Sequence, residues 1–243
     1  MKKTILFVVL GLVTVFCICY GTVRHLGGLK HVFNQGFFIS IEDEDDDTDD
    51  KVSGKYAIND KLEAFSSIRI DARIMTVVIE EGSEFAIEGM YNKTYLKPIV
   101  GVDGKRLEVK QTQQKRSRMN AGSQTCRVTI TIPSNTKLDE IDIDSNVGDI
   151  KLRDVTAKEI NIDTNVGEID VRKVDFDSIK CDANVGEITV YPVRDLGEYD
   201  ISVSTDVGEV RVDGHSYKRS YNSHGRGSGR IHLDTNVGEV NVK

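Results

Sequence analysis

Along the second half of the chain, hydrophobic and polar residues alternate, and the alternation breaks at five near-identical points. Ile141 and Ile143 lead into S-N-V-G-D-I at Ser145 and out to Leu152; Ile160 and Ile162 lead into T-N-V-G-E-I at Thr164 and out to Val171. Ile179 and Cys181 precede A-N-V-G-E-I at Ala183, Ile201 and Val203 precede T-D-V-G-E-V at Thr205, and Ile231 and Leu233 precede T-N-V-G-E-V at Thr235. A period of two on both sides of a glycine corner predicts strand, sharp bend, strand. Asn or Asp followed two residues later by Gly supplies the tolerance for positive φ that such a bend needs. The copies lie 19, 19, 22 and 30 residues apart. Nineteen residues fit one solenoid coil and leave no room for a crossover helix. The expected fold is all-β: a single-domain β-solenoid, a parallel β-helix-like stack of about 19-residue rungs.

The segment Ile68, Ile70, Asp71, Ala72, Ile74, Val77, Ile79 aligns without a gap on Ile141, Ile143, Asp144, Ser145, Val147, Ile150, Leu152 and reads as a degenerate opening rung without the Asn and Gly. Further strands are predicted over residues 85–91, 107–110 and 126–132. Two stretches lack the alternation. Residues 111–125 carry Lys115, Arg116 and Arg118; residues 213–230 carry Lys218, Arg219, Arg226, Arg230, Tyr217 and Tyr221. Insertions in a solenoid project from the stack, so these basic loops are either contact sites or tolerated mobile insertions.

The N-terminus differs from the rest. Met1, Lys2 and Lys3 precede an apolar run from Thr4 to Tyr20, long enough to cross a bilayer with help from its flanks. A cleaved signal peptide is the rival reading; its apolar core usually spans only about 7–15 residues and ends at small residues. The expected organisation is a transmembrane helix as membrane anchor (1–21), an acidic linker (22–55) and the solenoid (56–243). The solenoid would then lie outside the cell membrane, its N-terminus held inside by residues 4–20. Of the residues 42–50 only Thr48 is not acidic. That run carries the whole of the formal net charge of −7, so the folded body is close to neutral. A block of like charge stays solvated and extended and reads as a spacer, or else as a tail for cations.

Candidate chemistry is sparse. Asp144, Asp163, Asp182 and Asp234 align before the corner, and Asp149, Glu168, Glu187, Glu209 and Glu239 after it. Stacking at about 4.8 Å makes a solvated carboxylate pair repel by only about 0.9 kcal/mol, so such columns need no metal. A calcium ladder is the rival reading. Glycine stands fifth in D-T-N-V-G-E, where a helix-flanked calcium loop requires it sixth, and the glycine-rich β-roll motif is absent. No metal, cofactor or catalytic residue is assigned: there is no H-E-x-x-H, G-x-S-x-G or phosphate loop, and the five histidines lack ligand spacing. Cys126 and Cys181 fall at inward strand positions as small hydrophobes, with a bridge between them left open. A neutral body placed outside the cell argues against nucleic acid.

The succession F-x-x-I-x-I near Phe65, V-V-I-E-E-G-S-E-F near Val77, L-E-V-K near Leu107, V-T-I-T-I-P ending at Pro133, L-D-E-I-D-I-D from Leu138 and the serial N-V-G-E-I rungs resembles the bacterial β-strand-repeat family known as the adhesin or toastrack domain, over residues 56–243. The resemblance implies a membrane-tethered or exported bacterial solenoid, often encoded beside envelope-stress sensors, with no catalytic residues to carry over. The expected function is a non-enzymatic binding or scaffold module of the cell envelope that contacts a surface polymer or protein. The alternative is a regulatory partner of a membrane sensor protein, and a glycan-cleaving enzyme stands third. A final rung ending at Val242 would be an unpaired edge, able to template self-association.

Overall fold

The computed structural model describes residues 56–111 and 124–243. The apolar run 4–20 and the acidic linker lie outside the described residues. The described chain is built almost wholly of strands: β1 (Tyr56–Lys61), β2 (Ser67–Ile74), β3 (Thr76–Gly82), β4 (Ala86–Tyr91), β5 (Ile99–Asp103), β6 (Arg106–Lys110), β7 (Cys126–Pro133), β8 (Lys137–Val147) and β9 (Ile150–Arg153). They continue as β10 (Thr156–Val166), β11 (Ile169–Val185), β12 (Ile188–Pro192), β13 (Tyr199–Val207), β14 (Val210–Val212), β15 (His215–Tyr217), β16 (Ser220–Ser223), β17 (Gly229–Val237) and β18 (Val240–Val242).

Each N-V-G corner passes the chain from an entry sheet to an exit sheet. In the entry sheet the neighbours run β5-β6-β2-β8-β10-β11-β17-β13-β16. The exit sheet runs β1-β4-β7-β3-β9-β11-β12-β18-β14-β15. Strand β11 belongs to both: residues 169–172 pair in the exit sheet and residues 178–185 in the entry sheet. The sheet is thereby curled on itself, and the solenoid expected from the repeat is the architecture found.

Register is strict. Ile160 pairs with Ile141 on one side and Ile179 on the other, and Ile162 with Ile143 and Cys181. The alternating aliphatics of both sheets face each other inside, almost wholly shielded from water, in one continuous core. Each such side chain removed from water contributes about 1.5–3 kcal/mol. The return from exit to entry sheet is also a tight turn, where Asn135, Asp154 and Lys173 adopt positive φ, as Asp213 does in the β14–β15 hairpin of the exit sheet. Three of the four are Asn or Asp, whose short polar side chains tolerate that region.

The structure corrects the sequence reading in two places. First, the stacking order is not the chain order. The last rung, β17–β18, sits between the third corner rung (β11–β12) and the fourth (β13–β14). Val242 is therefore no edge; it pairs with Val190 on one side and Val212 on the other. Second, residues 213–230 do not simply project. They form β15 and β16, antiparallel strands that close the end of both sheets. The strands expected over 107–110 and 126–132 are β6 and β7, a further rung parallel to β2 and β3. At that end β4, β1 and β5 cap antiparallel. These five antiparallel end strands, each of three to six residues, blunt the exposed edges of the sheets.

Candidate interaction surface: the stacked corners

The corner is where the repeat is most faithful, and stacking converts each of its positions into a column. Glycine comes first. A Cβ on Gly167 would lie 2.1 Å from the carbonyl oxygen of Gly148, one on Gly186 1.8 Å from that of Gly167, and one on Gly238 1.7 Å from that of Gly186. The same relation joins Gly208 to Gly238 at 1.8 Å and Gly148 to Met75 at 2.0 Å. Closely stacked backbones leave no room for any side chain, and the contacts independently order the corners 75, 148, 167, 186, 238, 208. Met75 can stand at the head of this column because the β6–β7 rung beneath it has no N-V-G corner. There Gln111 takes over. Its Oε1 accepts from the backbone N–H groups of Arg73 (2.9 Å) and Ile74 (3.0 Å), and its Nε2 donates to the carbonyls of Ile74 (3.1 Å) and Leu96 (2.8 Å). Gln111 is buried, and the reading that began a basic loop there is corrected to this extent; residues 112–123 lie outside the described residues.

The asparagines serve a different purpose from the one their spacing suggested. None of them has positive φ. They form a ladder instead: Asn165 Nδ2 donates to Asn146 Oδ1 (2.7 Å), Asn184 to Asn165 (2.5 Å) and Asn236 to Asn184 (2.7 Å). Asp206 is the one corner residue of this column without an N–H to donate. Placed between Asn184 and Asn236 it would break the ladder; placed at the far end, as observed, it breaks nothing. The exchange of Asn for Asp at 206 was thus the signal in the sequence for the interleaved order.

One position inward, Ser145, Thr164, Thr235 and Thr205 form a buried column. Thr205 donates to the Gly238 carbonyl (3.0 Å), whereas the hydroxyls of Ser145, Thr164 and Thr235 have no partner.

On the outside, the corner valines form a ridge. Ile74, Val147, Val166, Val185, Val237 and Val207 are successive cross-strand partners. Val147, Val166 and Val207 are 44%, 45% and 63% exposed. The predicted carboxylate columns flank it. Asp71, Asp144, Asp163, Asp182 and Asp234 stack on the entry side. Asp149, Glu168, Glu187, Glu239 and Glu209 follow the corner on the exit side, their carbonyls accepting from the N–H of the next rung. Partial burial, with Asp144 and Asp182 on either side, raises the pKa of Asp163. Burial raises Glu168 as well, and Asp149, Asp170 and Glu187 add to it. Lys180 pairs with Asp182 (2.5 Å), and Arg211 with Glu239 (3.1 Å) and Glu209.

The columns do not converge on a metal site. Among the described residues no three His, Cys, Asp or Glu side chains are grouped to hold an ion. On the outer face of the exit sheet Asp170, 4% exposed, is gripped by Arg153 and by Arg172 Nε (2.7 Å), a structural clamp with both carboxylate oxygens occupied. Cys126 and Cys181 are free and buried in the core. Burial pushes the Cys126 thiol up to about 11 and Cys181 higher still, so both are inert. His224 lies 3.5 Å from Asp200 at the surface, and His215 Nδ1 3.0 Å from the Asp213 carbonyl; neither faces another histidine. One polar depression of about 290 Å³ is bordered by Ser67, Asp103, Lys105, Arg106 and Glu108. Small-molecule sites are typically concave and mainly apolar, and this one is neither enclosed nor apolar.

A stack of rungs closed at both ends, whose repeated element presents a long regular surface, defines the class: a capped β-solenoid. Over residues 65–243 the chain matches the family described as Toastrack DUF4097, and it belongs to that family. Among solved structures it is similar to a "putative cell adhesion protein" from Clostridium sporogenes ATCC 15579, with 19% identity and a TM-score of 0.62 over 78% of this chain and 99% of the other. It is also similar to a "putative adhesin" from Bacteroides fragilis NCTC 9343, with 12% identity and a TM-score of 0.42 over 79% of this chain and 98% of the other. Comparison with curated proteins found no match. The first likeness shows the fold.

Proposed function

We propose that this chain is a non-enzymatic binding or scaffold module of the bacterial cell envelope, anchored in the membrane through residues 4–20 with its solenoid outside. The observation that carries the reading is the use made of the repeat: its most regular positions build an exposed strip of valines, amides and carboxylates, a surface suited to an extended partner. The name of the Clostridium sporogenes structure, a cell adhesion protein, supports the same class of role. Partner contacts on such a surface are spread over many rungs, so affinity accumulates from repeated weak contacts.

The test is deletion of residues 56–243 with the apolar segment retained, scored in parallel for attachment of cells to surfaces and for an envelope-stress reporter. Loss of attachment with an unchanged reporter supports the proposal. Altered reporter output with normal attachment contradicts it and favours a regulatory partner of a membrane sensor.

A further inference from the structure

The valine ridge with its flanking carboxylates is chemically one-sided. No copy of the N-V-G phrase contains a lysine or arginine. Asp144, Asp163, Asp234, Asp149, Glu168 and Glu187 have no basic side chain within ion-pair distance among the described residues. The opposite character is found at one end of the stack. In the turn between β15 and β16 and the segment that leads into and begins β17, Lys218, Arg219, Arg226 and Arg230 are all exposed and make no ion pair among the described residues. Beside them the rings of Tyr217 and Tyr221 pack at 4.7 Å, half-buried. Lys218 and Arg219 carry the chain across the corner edge itself, fixed there by the bond from Thr205 N–H to the Arg219 carbonyl (2.8 Å).

We propose that the corner strip of one copy receives the β15–β16 turn of a second copy, with Lys218 and Arg219 placed between the two carboxylate columns and the tyrosine pair against the valines. The contact is additional to whatever the envelope module binds, and does not depend on it. Both surfaces exist on every copy but at different places, one along the side and one at the end. The contact is therefore heterologous, and it extends into chains instead of closing as a dimer. A near-neutral folded body does not oppose the approach by net repulsion. The pKa values of Asp163 and Glu168 are raised first by burial and further by neighbouring carboxylates, a repulsion that an incoming cation relieves. Five rung steps make the ridge only about 24 Å long, so the interface falls among weak, transient contacts. It requires high local concentration and weakens with salt.

The experiment uses the full chain, mixed in equal parts from isotopically light and heavy preparations and treated with a zero-length carbodiimide reagent. The expected products are mixed-isotope peptides joining Lys218 to strip carboxylates such as Asp163 and Glu168. Their yield at Lys218, read at the remaining strip carboxylates Asp144, Asp149 and Glu187, should fall about tenfold when two ion pairs of roughly 0.7 kcal/mol each are lost in Asp163→Lys/Glu168→Lys; Lys218→Glu/Arg219→Glu removes the reacting amine and serves only in the mixing experiment. Mixing the two variants should restore inter-copy products between the two reversed surfaces. All four positions are exposed or half-exposed, and unchanged melting of each variant certifies its fold. If a variant fails to fold, mapping and salt titration of the unmodified chain decide the matter. Absence of mixed-isotope products, products that map elsewhere, or yields indifferent to charge reversal and salt would overturn the proposal. So would a strip that takes up a basic peptide from another protein but never Lys218 of a second copy.

Discussion

At the scale of single residues, the corner is governed by contact distances. At Gly167 an added Cβ would meet the Gly148 carbonyl oxygen at 2.1 Å, and φ is 159°. Relief requires separating two rungs, and Gly167→Ala is expected to lower stability by about 3 kcal/mol in urea unfolding. Gly104, at φ 61° with nothing within 4 Å of a Cβ, is the control; Gly104→Ala should cost only about 1 kcal/mol. The ladder gives a prediction of the opposite sign. Asp206→Asn supplies a donor facing Asn236 Oδ1, and should raise stability by about 1 kcal/mol. Glu168 tests the electrostatics. Its raised pKa means that the folded state holds the proton more tightly than the unfolded chain. Ionisation therefore weakens the fold as pH rises through that raised value, and the penalty vanishes below the ordinary carboxylate range. Glu168→Gln is expected to melt above the parent at neutral pH, with the gap closing as the pH falls towards about 4. A gap that widens on acidification would contradict the sign. The glycines and carboxylates could be read from the sequence because the repeat aligns them. The function of the asparagines could not, since a side-chain ladder exists only once rungs are stacked.

At the scale of elements, alternation told strand from loop reliably wherever both flanks of a corner were present. It failed where pairing partners are distant in sequence. Leu107 and Val109 carry the right period, yet nothing local says that β6 lies beside Ile68 and Ile70. Residues 215–217 and 220–223 have mostly exposed or half-exposed side chains, so the pattern there looks like a loop although both segments pair as strands. The interleaved rung has the largest energetic consequence. Strands β17 and β18 supply the pairing partners of β11 and β12 on one side and of β13 and β14 on the other. A chain ending at Ser228 would open a gap inside the stack and expose aliphatics such as Ile179, Val190 and Val203. It is expected to lose the cooperative thermal transition of the complete chain. A truncation that merely trimmed a terminal rung would leave a cooperative, somewhat lower transition, and finding that would contradict the internal position of β17–β18.

At the scale of the whole molecule, the stack is blunted at both ends. Both ends of each sheet carry short antiparallel strands, which disfavour growth by edge pairing, so contacts between copies are expected to run through side chains instead of sheet edges. The chain order could not reveal the spatial order because the rungs are nearly equivalent: Ile231 and Leu233 fit the slot beside Ile179 and Cys181 as well as Ile201 and Val203 would. What decides is the end of the ladder at Asp206 and the length of chain between the fourth and fifth corners, which allows β15 and β16 to close the end of both sheets before the last rung returns. The most direct test is pairwise cysteine cross-linking at the corner column, using Asn184→Cys, Asp206→Cys and Asn236→Cys two at a time. Adjacent rungs place α-carbons about 4.8 Å apart, within disulfide range, and alternate rungs about twice as far, beyond the roughly 7 Å limit. The interleaved stack predicts that 184 with 236 and 206 with 236 oxidise to intramolecular disulfides while 184 with 206 does not. Efficient bridging of 184 with 206, with 184 and 236 left unlinked, would contradict it.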